Sequence, residues 1–228
     1  MAPLGTDRRR LELAMIRAII FDFDGVLFES LAVKAEAFRQ MFLPYGDEVA
    51  RRVVEHHLAH GGMSRFEKFK IYHGEFLKEQ ATPDFLEKRA QEFSRLVVDQ
   101  VVASPWVAGA REFLEANQGK YDFSVVSGTP EEEMRHIVAR KGIGRFFREV
   151  LGAPRSKGEN VRIILEKYGY RAPEVVFVGD AMSDYEGARQ NGIGFVGRGD
   201  LFRQRGIPVV AIPDLHGLEQ AMLKAVPG

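Results

Sequence analysis

The chain has 228 residues, 45% apolar and 28% charged, with 32 basic and 32 acidic side chains and a formal net charge of zero. That length suits one large domain or a domain with an insertion, and the composition excludes a mainly disordered chain. The even charge balance gives no support to a nucleic-acid or anionic-membrane partner, and the lack of cysteine excludes disulfides, thiolate metal sites and cysteine nucleophiles.

At the N-terminus, Arg8, Arg9 and Arg10 suggest a twin-arginine export signal, but Glu12 and Arg17 interrupt the apolar stretch that follows. Residues 1–14 are expected to be a loose extension, with Met15 an alternative start. No apolar run approaches the roughly 18 residues of a membrane span. A cytoplasmic protein, monomeric or homodimeric, is expected.

Short apolar runs with strand character follow at Arg17–Phe23, Phe123–Val126, Glu149–Leu151, Val175–Val178 and Gly194–Val196, with a possible sixth at Pro208–Ile212. They are apolar on both faces, the pattern of strands buried in a parallel sheet. Helix-period segments lie between the later ones, at Ala110–Asn117, Glu131–Lys141, Gly158–Tyr168 and Asp184–Gln190. Alternating strands and helices predict a doubly wound α/β sheet. The stretch 31–104 has helical patterns and no convincing strand. It is predicted to be an all-helical domain inserted into an α/β core made of 15–30 and 105–228. Its aromatic stripe of Phe66, Phe69, His73 and Phe76 reads as core. His56, His57 and His60 share a helix, but without a third ligand they read as solvated polar residues. Trp106 is expected to pack at the return from the insertion.

Four elements carry chemistry. An apolar strand runs into Asp22, Phe23, Asp24 and Gly25, and two carboxylates at a strand end repel unless a cation or shared proton is present. A second strand ends in Ser127, Gly128, Thr129 and Pro130, where Ser127 and free N–H groups can hold a phosphate oxygen while Thr129 caps the next helix with Pro130 at its first position. Lys157 precedes a helix. A further strand ends in Gly179 and Asp180, with Asp184 four residues on, a spacing at which carboxylates can converge on one hard cation. Gly192, Gly194 and Gly197 match a dinucleotide fingerprint literally, but a helix precedes them and a strand follows, so no such cofactor is expected.

In this order, the four elements resemble the haloacid dehalogenase superfamily of phosphohydrolases over nearly the whole chain after residue 14, with the helical insertion where that family carries a cap. The resemblance implies Asp22 as nucleophile, Asp24 as acid/base, and Ser127, Gly128 and the Gly25 N–H at the phosphoryl oxygens. It implies Mg²⁺ held by Asp22, the Asp24 carbonyl and Asp180, with Asp184 nearby, and Lys157 as the balancing cation. Asp24 favours phosphoryl transfer over carbon–halogen cleavage, since the haloalkanoate dehalogenases lack an acid/base Asp there. The implied activity is a Mg²⁺-dependent phosphatase on a small soluble phosphomonoester, phosphoglycolate-phosphatase-like or β-phosphoglucomutase-like in pattern. A sugar phosphomutase and a catalytically silent binding module are the alternatives. Gly61–Arg65 looks like a cap specificity loop. Arg65 either contacts an anionic substrate group or is an exposed helix residue behind the cap Ser64. Lys34 stands where the mutases carry a His, as a cap-to-core charge or, the plainer reading, a solvated lysine.

Overall fold

In a computed structural model describing residues 16–225, the first strand, β1 (Ala18–Phe21), is fully buried. Ile19 and Phe21 join the core on one face, and Ala18 and Ile20 the core on the other, as the two-residue period of a strand requires. Burying each such side chain contributes about 1.5–3 kcal/mol.

The chain then forms α1 (Leu31–Phe42), α2 (Asp47–Ala59), α3 (Arg65–Ile71) and the long α4 (Pro83–Ala103) before returning. Ser64 caps α3 by accepting from the Glu67 N–H, while the Glu67 carboxylate accepts from the Ser64 N–H. The helix widens into a π turn at Tyr72–Phe76, so the aromatic stripe does not lie on one regular helix. Phe69 and His73 are fully buried, while Phe66 and Phe76 are partly so. Phe38, Phe69, Tyr72 and Phe93 form the centre of this unit, with the Phe38 and Phe93 rings 4.4 Å apart.

The remaining elements alternate: α5 (Ala110–Asn117), β2 (Asp122–Pro130), α6 (Glu131–Arg140), β3 (Phe147–Ala153), α7 (Lys157–Tyr168), β4 (Val175–Gly179), α8 (Met182–Gln190), β5 (Gly194–Arg198), α9 (Leu201–Gln204), β6 (Val210–Ile212) and α10 (Leu218–Ala225). The six strands form one parallel sheet in the order β3-β2-β1-β4-β5-β6. The doubly wound α/β expectation is met, including the sixth strand. Strand order reverses direction at β1, and such a switch point opens a crevice at the carboxyl ends of the strands. Phe21 aligns with Val125 on one side and Val178 on the other. That register delivers the segments beginning at Asp22, Ser127 and Asp180 to the same edge. Gly192 lies between α8 and β5 and Gly194 opens β5, a helix-to-strand turn rather than a dinucleotide loop.

One local expectation fails. β2 continues through Thr129, and Pro130 rather than Thr129 stands at the N-cap of α6, with no side-chain cap bond. The Thr129 hydroxyl instead accepts from Lys34 Nζ at 2.8 Å. At the chain crossings, Phe28 pairs with Trp106, the Glu29 N–H donates to the Pro105 carbonyl and the Val107 N–H to the Leu27 carbonyl. The Phe28 and Trp106 rings lie 4.2 Å apart, which places Trp106 at the return from the helical segment.

Candidate active site

The sheet edge gathers the acidic motifs. Carboxylate oxygens of Asp22, Asp180 and Asp184 lie within 4.8 Å of one another. Gly25 permits this packing: it has φ +76°, and a Cβ there would overlap the Asp180 carboxylate and the Leu31 side chain. Its N–H does not face the pocket as expected. It donates to the Phe28 carbonyl at 2.8 Å, closing the tight turn.

Lys157 is buried among these acids, 3.0 Å from Asp22 and bonded to Asp184. Burial alone would lower its ammonium, but the Asp184 and Asp22 carboxylates hold it well above its ordinary range. Both Asp184 oxygens are engaged, Oδ1 by Lys157 and Oδ2 by the Ala181 N–H at 3.0 Å, so Asp184 acts as an orienting group for its neighbours. Burial pushes the Asp22 carboxyl up to about 7, with Asp184 and Asp24 adding repulsion that Lys157 only partly offsets. Burial and the charges of Asp22 and Asp184 raise Asp180 likewise. Oxygen-only donors carrying more negative charge than one lysine neutralises fit a hard divalent cation.

Asp24 faces the other way. Ser30 donates to its Oδ1 at 2.6 Å and Lys34 to its Oδ2. Burial would raise this carboxyl, but the Lys34 charge and the two hydrogen bonds prevail and hold it below the ordinary range. In these contacts Asp24 is the more acidic carboxyl and Asp22 the less. The Asp24 side chain also lies outside the three-carboxylate cluster. Lys34 is not the solvated lysine of the plainer reading. It ties α1 to both Asp24 and Thr129.

Ser127 is buried on the pocket wall, and its Oγ accepts from the Thr129 N–H at 3.1 Å. Gly128 meets the α2–α3 loop: a Cβ there would lie 2.6 Å from the Gly62 carbonyl oxygen. The loop so seated borders a part-open pocket of about 120 Å³ lined by Asp22, Asp24, Lys34, Ser127, Gly128 and Asp180. Most small-molecule pockets span roughly 300–1,000 Å³, so this one suits a small ligand.

Arg65 is not the exposed helix residue of one sequence alternative, although it does line the pocket. It is 5% accessible and forms a two-pronged pair with the Glu133 carboxylate of α6, a further bond to Ser94 Oγ and a stack over Phe93. The histidines divide. His56 and His60 stack with ring centroids 4.0 Å apart, and His60 Nδ1 bonds the His56 carbonyl. His57, expected in solvent, is buried in the cavity wall, where Lys68 Nζ lies 2.8 Å from its Nδ1. Sequence reasoning missed Lys68, His57, Ser30 and Thr129 as pocket groups. For Lys68 a signal existed: it lies three residues after Arg65, on the same face of α3.

An acidic turn after β1, a carboxylate cluster around a buried lysine and a helical unit meet at the switch point of a doubly wound sheet. A family model described as haloacid dehalogenase-like hydrolase matches residues 16–192, and the chain belongs to that family. It is 25% identical over 203 residues to a phosphoglycolate phosphatase of Pseudomonas savastanoi, covering 79% of this chain and 68% of the relative. It is 24% identical over 187 residues to a phosphorylated carbohydrates phosphatase of Thermotoga maritima, covering 78% and 82%. The fold is similar to a solved β-phosphoglucomutase of Clostridium difficile, with TM-score 0.72, 15% identity and coverage of 92% and 97%.

Proposed function

We propose that the protein is a Mg²⁺-dependent phosphatase that hydrolyses a small soluble phosphomonoester through an aspartyl-phosphate on Asp22. The observation that carries this reading is the convergence of Asp22, Asp180 and Asp184 around Lys157 at the mouth of a cavity lined by Ser127 and Gly128. Asp22 and Asp180 would hold Mg²⁺, which when bound supplies positive charge beside the carboxylates and the phosphoryl oxygens.

In the first half-reaction an Asp22 oxygen bonds to phosphorus as the bond to the leaving alcohol breaks, and Asp24 gives its proton to the departing oxygen. In the second, Asp24 takes a proton from water, the water oxygen bonds to phosphorus and Asp22 is released. The Lys34 and Ser30 contacts favour the ionised Asp24 that this second step requires and oppose the protonated Asp24 of the first, so Asp24 must take up a proton before the alcohol leaves. Lys157 offsets the charge of Asp22 as a phosphate dianion approaches, while Ser127 and the N–H groups beside it receive the phosphoryl oxygens. The segment 31–104 acts as a cap hinged at the paired crossings near Phe28 and Trp106, with the Gly61–Arg65 loop over the pocket. Lys34, in place of the mutase His, favours release of phosphate to water over its return to a sugar.

A panel of phosphomonoesters assayed with and without Mg²⁺ tests the reading. Metal-dependent phosphate release from small members is expected. A requirement for a bisphosphate sugar would point to a mutase, and no turnover at all to a binding module.

A further inference from the structure

Lys34, Arg65 and Lys68 line the pocket, and two of them have carboxylate partners: Lys34 pairs with Asp24 and Arg65 with Glu133. Lys68 is the exception. It is 2% accessible, and no carboxylate lies within ion-pair distance of its Nζ among the described residues. Its neighbours are His57 Nδ1 at 2.8 Å and, more weakly, the His57 carbonyl at 3.5 Å. An ammonium has three N–H donors, so one has no protein acceptor here. A buried ammonium without a counter-charge is costly; burial drives it toward losing its proton, and an anion bound beside it would keep the charge in place.

We propose that Lys68, held by His57, is the specificity determinant for a carboxylate on the substrate, so that the enzyme acts on the phosphate ester of a short hydroxy acid. This rests on the phosphatase reading and deepens it. The cavity has two ends. Asp22, Asp180, Ser127 and Gly128 lie at the phosphoryl end, and Lys68, His57, Phe38 and Phe93 line the cap side. The pocket offers about 120 Å³ around these groups, which suits a short spacer and a small second anion such as a carboxylate. His57, with burial and the Lys68 charge depressing its basicity to about 2, stays neutral and accepts from Lys68, leaving the charge of Lys68 for the ligand. Phe38 and Phe93 supply the apolar walls that strengthen such a contact by excluding water.

The test compares phosphoglycolate, ethyl phosphate and phosphoethanolamine, alike in size but with an anionic, neutral or cationic end. Wild-type kcat/KM is expected to favour phosphoglycolate by about 10²-fold or more, the discrimination typical when a buried polar group is left unpaired. In Lys68→Met the ratio of phosphoglycolate to ethyl phosphate should collapse toward unity, mainly through KM for the acid. A glyceric acid phosphate and a sugar bisphosphate separate carboxylate from second phosphoryl, and preference for the bisphosphate would overturn the carboxylate assignment. Equal turnover of the three small esters by the wild type would overturn the inference while leaving the phosphatase reading intact. No turnover of any ester would remove that reading and the inference with it. Should Lys68→Met fail to fold, the wild-type ranking alone decides.

Discussion

The floor and the roof of the cavity handle charge in opposite ways. On the floor, Asp22, Asp180 and Asp184 surround the single cation Lys157, and burial together with mutual repulsion raises Asp22 and Asp180. On the roof, Lys34 and Arg65 each have a carboxylate, and Lys68 has only a neutral histidine. The floor has surplus negative charge in a place a metal can reach, and the roof surplus positive charge in a place only a ligand can reach. A group that bears a phosphoryl at one end and an anion at the other, with a divalent cation, satisfies both surpluses at once.

The sharpest way to break the contrast is at the floor. Asp22→Asn keeps the shape and removes the proposed nucleophile, so steady-state turnover should fall by roughly 10⁴-fold or more. The variant should fold at least as stably, since it relieves repulsion among the acids, and melting curves check that. Near-normal activity under conditions that exclude deamidation would remove Asp22 from the mechanism.

The roof should answer in stability. Arg65→Ala leaves Glu133 half-buried without its partner and should cost about 3–5 kcal/mol in denaturant unfolding, the usual consequence of breaking a buried pair. Activity on phosphoglycolate and on ethyl phosphate should then fall by similar factors, because Arg65 joins α3 to α6 rather than reading the substrate. A loss confined to the acidic substrate would restore a direct contact.

Lys68→Met should act in the other direction and depend on pH. Burial and the charges of Lys34 and Lys157 lower the folded ammonium to about 7 from an ordinary 10.5. The folded state therefore binds this proton less readily than the unfolded chain does. The penalty is absent above 10.5, grows as pH falls from there to 7, and is complete below 7. The variant should be more stable than wild type by a few kcal/mol below pH 7, with the gain fading toward pH 10. A gain independent of pH would mean that packing rather than charge is responsible.

The smallest effect is expected at the seam. Gly128→Ala places a Cβ 2.6 Å from the Gly62 carbonyl oxygen and should hold the loop off the floor. KM for small substrates should rise by roughly 3–10-fold with the fold intact, about 1 kcal/mol of lost closure. An unchanged KM would mean that the loop does not seat in this way during turnover.

The floor was largely legible in the sequence because each of its residues follows an apolar strand, and parallel register brings strand ends to one edge. Asp22, Ser127 and Asp180 needed nothing beyond that. The roof was not legible because its partners are chosen by helix packing. Glu133 lies 68 positions from Arg65, and no local pattern pairs them. His57 and Lys68 come from different helices, and the face of α2 that turns inward is settled only when α3 packs on it. Thr129 was misjudged because the reading stopped at its own helix start, whereas Lys34, 95 positions away, claims the hydroxyl.

The seam between Gly62 and Gly128 has one more consequence. Where the two glycines meet, neither carries a side chain: the Gly62 carbonyl rests over the Gly128 α-carbon, and a Cβ on Gly62 would overlap the Ser183 hydroxyl. A join made of backbone is indifferent to what the surrounding helices carry. Substitutions at lining residues that make no contact across the seam can change what lies above the floor without disturbing this join, whereas Lys34 and Arg65, which reach Asp24, Thr129 and Glu133, are not free in the same way.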